Sequence, residues 1–404
     1  MAREMKDSGI EWIGEIPRDW KLTQLKRFVT VNNGREVSEE VDKADNAIPV
    51  YGSGGVFKYT VTPLYVGETV MFGRKGTLGK PIYANEKFWT VDTMYYLTFS
   101  DELSAKYNYY QLSAFDWEPH ITHTALPSIV GSEIVSCRFA FPSKQEQLRI
   151  VSYLDAECSH IDAVIEKTRA SIEEYKKLKQ AVILQAVTKG ILSNRPMKDS
   201  NVEWISSIPI EWSMVRGKGL FKEVDKRSDS GTEELLTVSQ YTGVTPRSQK
   251  NVNMFEAESL VGYKICEVGD IAANTMWLWA GAIGVSNYRG VISPSYNIYQ
   301  QKENYYNPAY LDYLLRIEPL VQHYESRSTG IRASRLRLYP QQFLSIFYPV
   351  PPKDEQEEIV RFLKEKTNGL DQLIRKKGLY LSELEAYKKS LIFEYVTGKK
   401  EVPA

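Results

Sequence analysis

Cysteine is scarce in this 404-residue chain: Cys137, Cys158 and Cys266 are the only three, far apart and without a CxxC pair. Such spacing excludes a disulfide framework and a cysteine-rich metal knuckle, and leaves reduced thiols as the default. Histidine is scarce too, with four in all. Net charge is also missing, because 51 Lys and Arg balance 51 Asp and Glu. That excludes a protein coated in positive charge. It does not exclude a local basic patch, which acidic helices elsewhere cancel in the total but not in the field that a phosphate feels. No apolar run approaches the roughly 18 residues that a membrane span needs. The opening "MAREMKDSGIEW" lacks the apolar core of a secretory signal. Together these absences predict a cytoplasmic protein with no membrane partner. Hydrophobic residues at 43% and charged residues at 25% are ordinary for a globular chain, and the length allows roughly two to four domains.

What is present is a repeat. "MKDSGIEWIGEIPRDW" at residues 5–20 returns as "MKDSNVEWISSIPIEW" at 197–212, so that Trp12, Pro17 and Trp20 reappear as Trp204, Pro209 and Trp212. A second pair runs from Pro142 to Gly190 and from Pro351 to Lys399, without a gap and at an offset of 209 residues. Glu146-Gln147, Ile150-Val151, Leu154 and Val187-Thr188 return as Glu355-Gln356, Ile359-Val360, Leu363 and Val396-Thr397. The offset grows from 192 to 209, so the segment between the repeats is seventeen residues longer in the second copy. The order is therefore globular, rod, globular, rod, and a repeat of this kind governs any fold assignment.

Both rod segments open with Pro followed by acidic or amide residues and contain no internal Pro, which marks helix starts and uninterrupted helices. Apolar residues then recur at three- and four-residue steps: Ile161, Ile165, Ile172, Tyr175 and Val182 in one, Leu370, Ile374, Leu381, Leu384, Leu391 and Tyr395 in the other. This is a heptad-like seam. It predicts two rods of about 60 Å that pack on each other. Leu184, Tyr380 and Phe393 fall off the seam, which favours an additional partner.

The globular segments are rich in short β-prone runs such as "AIPVYGSGGVFKYTV" and "GDIAANTMWLWAGAIGV", punctuated by Gly and Pro, with shorter helices at "NYYQLSAF" and "NPAYLDYLLRI". The expected class is α+β with curved, mostly antiparallel sheets. "VGETVMFGRKGTLGKPIYA" in the first segment corresponds to "VGDIAANTMWLWAGAIGVSNY" in the second. The expected division is 1–141 and 197–350 as heads, with 142–196 and 351–404 as helical spacers.

Charge is local. "SRSTGIRASRLRL" carries Arg327, Arg332, Arg335 and Arg337 without an acidic residue, interleaved with Ser328 and Thr329. Arg clamps phosphate or reads guanine with its planar fork, and small hydroxyl residues let the backbone approach. Asn274 and Trp277 in the Gly-flanked loop are secondary candidates. In the first head the candidates are Arg74, Lys75 and Lys80 of "FGRKGTLGK", and His123 and Thr124 of "PHITHTALPS".

Catalytic motifs fail when tested. A nucleotide-binding loop needs Gly where Arg74 stands and Ser or Thr where Pro81 stands. "SPSY" at 293–296 approaches the loop with which amino-methyltransferases grip an adenine, but Ser295 replaces its second Pro and no Gly-rich cofactor loop accompanies it. His120-x-x-His123 has no companion ligand, so no metal is expected.

The repeated "MKDSxxEWIxxIPxxW" and "PxKxEQxxIVxxL" segments, the two heads, the two rods and "SQYTGVTPR" at 239–247 together resemble the specificity subunit (HsdS) of type I restriction-modification systems, over essentially the whole chain. The resemblance implies two target-recognition domains, each reading one half of a bipartite double-stranded DNA site. It implies rods packed as an antiparallel coiled coil that sets the spacing. It further implies two methyltransferase subunits docked at the rods, which methylate adenine N6, and up to two motor-nuclease subunits. S-adenosylmethionine, ATP and Mg would then reside on those partners, and this chain would hold no cofactor and perform no catalysis. The rival readings are a stand-alone bipartite DNA-binding regulator and a purely structural adaptor.

Overall fold

A computed structural model describes residues 3–250, 258–330 and 336–403. The chain forms two compact units, one of Met1–Ala170 with Gly378–Ala404 and the other of Ser171–Lys377. Two long helices, Lys144–Lys189 and Lys353–Val396, are each shared between them. Neither contains Pro. Ser143 accepts the Glu146 amide at the first start (3.3 Å), the usual role of a hydroxyl ahead of a helix. Gly190 and Gly398 follow the two ends with φ of 76° and 72°, the left-handed turn that stops a helix.

Within the first unit the start of one long helix packs antiparallel on the end of the other. The Tyr153 and Tyr395 rings lie 4.6 Å apart, Lys388 pairs with Asp162 at 2.6 Å, and Arg169 meets Glu385 at 2.8 Å. Within the second unit Lys179 pairs with Asp371 at 2.7 Å and Lys377 lies over the Tyr175 ring. Ile161, Ile165, Leu391 and Tyr395 are buried, while Ile172, Tyr175, Val182, Leu370, Ile374, Leu381 and Leu384 are half-buried. The apolar count misses one feature. Lys179 and Lys388 stand at corresponding seam positions, and each reaches the corresponding aspartate on the facing helix. Polar residues in a seam cost stability and fix register.

Each head is built on a four-stranded antiparallel sheet. In the first, the order is Val29–Asn33, Met94–Phe99, Thr69–Gly73, Ile82–Ala84; in the second it is Phe221–Val224, Asn297–Gln301, Ile271–Ala273, Ile283–Val285. The order and pairing are the same although the sequences have diverged. A two-stranded ribbon accompanies each sheet, Lys21–Gln24 with Arg138–Phe141 and Ser213–Arg216 with Phe347–Val350. The outer layers differ. The first head adds a four-stranded sheet containing the parallel pair Ile48–Gly52 and Lys87–Thr90. The second adds two antiparallel ribbons, Leu236–Ser239 with Gly243–Pro246 and Lys264–Cys266 with Gly290–Ile292. The additional length of the second head enters ahead of Ile271–Ala273 and in the helix Glu318–Arg327, which stands where the first head has only the 3-10 turn Glu118–His120. The class is α+β with mostly antiparallel sheets, as expected.

The repeated sequences build the same joint in each unit. Trp20 donates its indole N–H to Glu146 at 3.2 Å, and Arg3 pairs with Glu146 at 2.7 Å and with Asp19 at 3.0 Å. Trp212 donates to Glu355 at 2.8 Å, and Arg195 pairs with Glu355 and with Glu211. The next residue completes the joint. Gln147 accepts the Ser104 amide and donates to the Glu102 and Pro142 carbonyls, and Gln356 does the same with Asn307, Tyr305 and Pro351. The repeated Glu-Gln pair thus ties each head to the start of the long helix that follows it. Among the described residues no helix is long and apolar enough to cross a membrane.

Candidate nucleic-acid interface

In the first head the strand Thr69–Gly73 leaves the sheet at Gly73, where a Cβ would fall 2.5 Å from the Thr77 carbonyl oxygen. Glycine therefore permits the tight exit that exposes the next residues. The amides of Arg74 and Lys75 both donate to the Thr93 carbonyl, at 2.8 and 3.3 Å. The Arg74 carbonyl accepts the Ile129 amide at 3.0 Å, and Lys75 bridges Ser128, which in turn bridges Thr122. Three loops, 74–80, 91–93 and 121–130, are laced together at one end of the sheet. Arg74, Lys75, His123 and Thr124 all belong to this cluster. Arg74 and Lys80 are exposed and Lys75 is half-buried. Arg74, Lys75 and Lys80 have no acidic partner among the described residues. His123 is exposed with Nε2 3.2 Å from Glu118, and the Thr124 hydroxyl donates to the Leu126 carbonyl. Ser53, in the "GSGG" turn, accepts the Thr77 amide at 3.1 Å and steadies the basic loop. The Gly-rich turn was its only signal in the sequence.

In the second head the loop 274–282 leaves the sheet at the equivalent corner. Asn274 faces inward, only 5% exposed. Its side chain donates to the Tyr296 hydroxyl (2.8 Å) and accepts the Met276 amide (3.2 Å). Bonded through both its oxygen and its nitrogen, this buried amide shapes the loop that presents Trp277. Trp277 is 51% exposed and stacks on Trp279 with centroids 5.7 Å apart. Thr275 ties the loop to Ser295.

The arginine-rich segment begins at the end of Glu318–Arg327, the helix that packs on the turn Leu278–Ala280. Arg327 donates from Nε to His323 Nε2 at 2.7 Å and from Nη1 to Ser345 at 3.2 Å. His323 is buried, and burial first, then the Arg327 charge, pushes its pKa below the usual value. It is therefore a neutral acceptor, and Arg327 is anchored rather than free. Ser328 donates to the Tyr324 carbonyl. Thr329 and Arg337 exchange both backbone hydrogen bonds, at 2.9 and 3.0 Å. Both are exposed. Arg332 and Arg335 lie outside the described residues.

Sequence reasoning used 239–247 for the family resemblance but did not place the hairpin tip at 239–243 among the candidate contacts. Tyr241 there is 81% exposed. Arg316 holds the tip by donating to the Gln240 and Tyr241 carbonyls (3.2 and 2.6 Å), and it pairs with Asp312 at 3.4 Å. Burial raises the Asp312 pKa, against the lowering effect of Arg316. The Asp-x-x-x-Arg spacing on one helix was the available signal. Among the described residues no group of three or more His, Cys, Asp or Glu is placed to hold a metal.

Comparison with known proteins follows the same lines. Residues 17–174 match the family model described as type I restriction modification DNA specificity domain. The chain is 23% identical to the putative type I restriction enzyme MjaX specificity subunit of Methanocaldococcus jannaschii, over 96% of both proteins. It is 22% identical to the type I restriction enzyme MjaVIII specificity subunit of the same organism, over 96% of this chain and 94% of that one. Among solved structures, a chain from a study of complex assembly and conformational transition of the type I R-M system shares the fold with a TM-score of 0.69. Its sequence identity is 13%, over 95% of this chain and 99% of that chain.

Proposed function

We propose that this chain is a specificity subunit of the type I restriction-modification family, non-catalytic itself, and that its two heads read the two halves of one gapped double-stranded DNA site. Segments 1–141 and 197–350 act as the readers. The helical segments 142–196 and 351–404 seat two methyltransferase subunits and, where the system cleaves, two motor-nuclease subunits. S-adenosylmethionine, ATP and Mg belong to those partners, which act on the cytoplasmic chromosome.

One observation supports this above the others. The frame of each head repeats the same Trp–Glu bond at its joint, Trp20 with Glu146 and Trp212 with Glu355, and the same strand order. The loops at the equivalent corner are chemically unrelated: Arg-Lys-Gly-Thr at 74–77 against Asn-Thr-Met-Trp at 274–277. A constant frame with different loops is what two readers of different sequences require, and near-equal surfaces presented twice suit two copies of one partner. The candidate contacts are Arg74, Lys75, Lys80, His123 and Thr124 in one head, and Trp277 with Asn274 behind it, Arg327, Ser328, Thr329, Arg332, Arg335 and Arg337 in the other.

The test is a map of adenine methylation in cells with and without this chain, alongside its methyltransferase. A gapped two-part motif that disappears on deletion is the expected result, and exchanging one head should change one half of that motif. An unchanged map would overturn a role in modification.

A further inference from the structure

The loop that carries Trp277 is built as a pedestal. Trp277 and its neighbour Met276 are 51% and 42% exposed. Water penalises large apolar surface, so two such side chains held outward together are informative where a scattered one would not be. They are also held firmly. The Met276 amide is fixed by the buried Asn274. The Trp277 amide donates to the Asn274 carbonyl at 2.9 Å, and the Trp277 carbonyl accepts the amides of Ala280 and Ala282 at 3.0 Å each. Leu278 is fully buried. Gly281 turns the chain at φ 85°, where a Cβ would come within 3.0 Å of Val321. Trp279 stacks against Trp277 and donates to the Met276 carbonyl. Little backbone freedom remains to be lost when this surface is covered.

Nothing in the fold demands an aromatic here. The first head turns the same corner of the same sheet with Arg74, Lys75, Gly76 and Thr77. We propose that Met276 and Trp277 form an apolar wedge that enters a base step of the half-site under the second head and unstacks it, whereas the first head grips its half-site without such a wedge. The proposal rests on the reading of the second head as a DNA reader. Apolar side chains inserted between base pairs kink a duplex and open the step they enter. An indole face replaces the lost base stacking whatever the base. The wedge therefore selects deformability and not hydrogen-bonding pattern, and it favours flexible pyrimidine–purine steps. Unstacking beside the target also lowers the cost of extruding a base to a partner enzyme.

The experiment uses the full chain assembled with its methyltransferase subunits and duplexes carrying the mapped site. 2-Aminopurine is placed in turn at each position of the second half-site except the methylated adenine, and both fluorescence and anisotropy are read at saturating protein. The wild-type assembly should raise fluorescence several-fold at one step. Trp277→Ala combined with Met276→Ala should return that step to the duplex level, and Trp277→Phe should keep the signal. Site-specific binding without a raised position, or a signal that survives Trp277→Ala with Met276→Ala, would overturn the wedge alone. Anisotropy showing no site-specific binding by the wild-type assembly would overturn the head's assignment, and the wedge with it.

Discussion

The Tyr107 hydroxyl donates to the carbonyl of Val396, 3.2 Å away and 289 residues further along the chain. Its counterpart in the other unit is Tyr310, which donates to Val187 at 2.8 Å. Both acceptors lie in the last turn of a long helix, where carbonyls have no partner of their own. Both tyrosines are fully buried, and burial raises the pKa of each hydroxyl well above its usual value, so each remains a protonated donor. Each head thus caps the end of a long helix that does not follow it directly in sequence. Tyr107→Phe and Tyr310→Phe leave a buried carbonyl unpaired and should each cost about 1–3 kcal/mol, read as a lowered melting midpoint with the fold retained.

The seam ion pairs give a second prediction. Lys388 with Asp162 and Lys179 with Asp371 are the same pair written twice. The lysines are mostly covered, and the aspartates are about half exposed, so solvent screens each pair and its value lies more in register than in stability. Lys388→Asp places like charges across the seam and should destabilise the first unit. Adding Asp162→Lys should restore most of the loss, with a coupling of about 0.5–3 kcal/mol in a double-mutant cycle followed by chemical denaturation. Additive effects would show that the pair contributes nothing.

Much of this frame is legible in the sequence. Ile161, Ile165 and Leu391 mark the seam because helical periodicity is local, and the repeated Glu-Gln signals a shared joint because both copies need the same hydrogen bonds. Other features are not legible. Lys179 and Lys388 interrupt an apolar count although they belong to the seam. The Tyr107–Val396 bond depends on which head meets which helix end, a long-range choice that no local pattern encodes. At the candidate site the corner loops are found because Gly and charge mark them, but Asn274 shows the limit. Its place between a strand and an exposed Trp does not tell that its side chain is buried against Tyr296.

Acid should weaken the second unit through His323. Burial and the facing Arg327 lower its folded pKa, while Glu203 acts in the opposite sense. Between the folded and unfolded values the unfolded chain binds more protons, so stability rises with pH. The contribution is fully present above the unfolded value near 6.5 and is lost as pH falls through the lower folded one. Protonation also removes the acceptor that anchors Arg327. Melting curves between about pH 7 and pH 5 should therefore show a decline that His323→Gln, which keeps an acceptor and cannot titrate, largely abolishes. An equal decline in the variant would place the proton elsewhere.

The first head's cations should separate by chemistry when affinity for its half-site is measured against salt. Arg74 is exposed and without an acidic partner, on a backbone fixed to Thr93 and Ile129, so its planar fork is free to read a base edge bidentately. Lys80 is an exposed point charge, suited to a phosphate. Arg74→Ala should cost about 1–3 kcal/mol on the preferred half-site and relax discrimination at one base pair. Lys80→Ala should weaken all sequences alike and reduce the magnitude of the slope of log affinity against log salt by about 0.9. The reverse pattern would exchange the two roles. Loss of neither affinity nor discrimination in the double variant would remove this loop from the interface, and would leave His123 and Thr124, on the neighbouring loop, as the first head's remaining candidates.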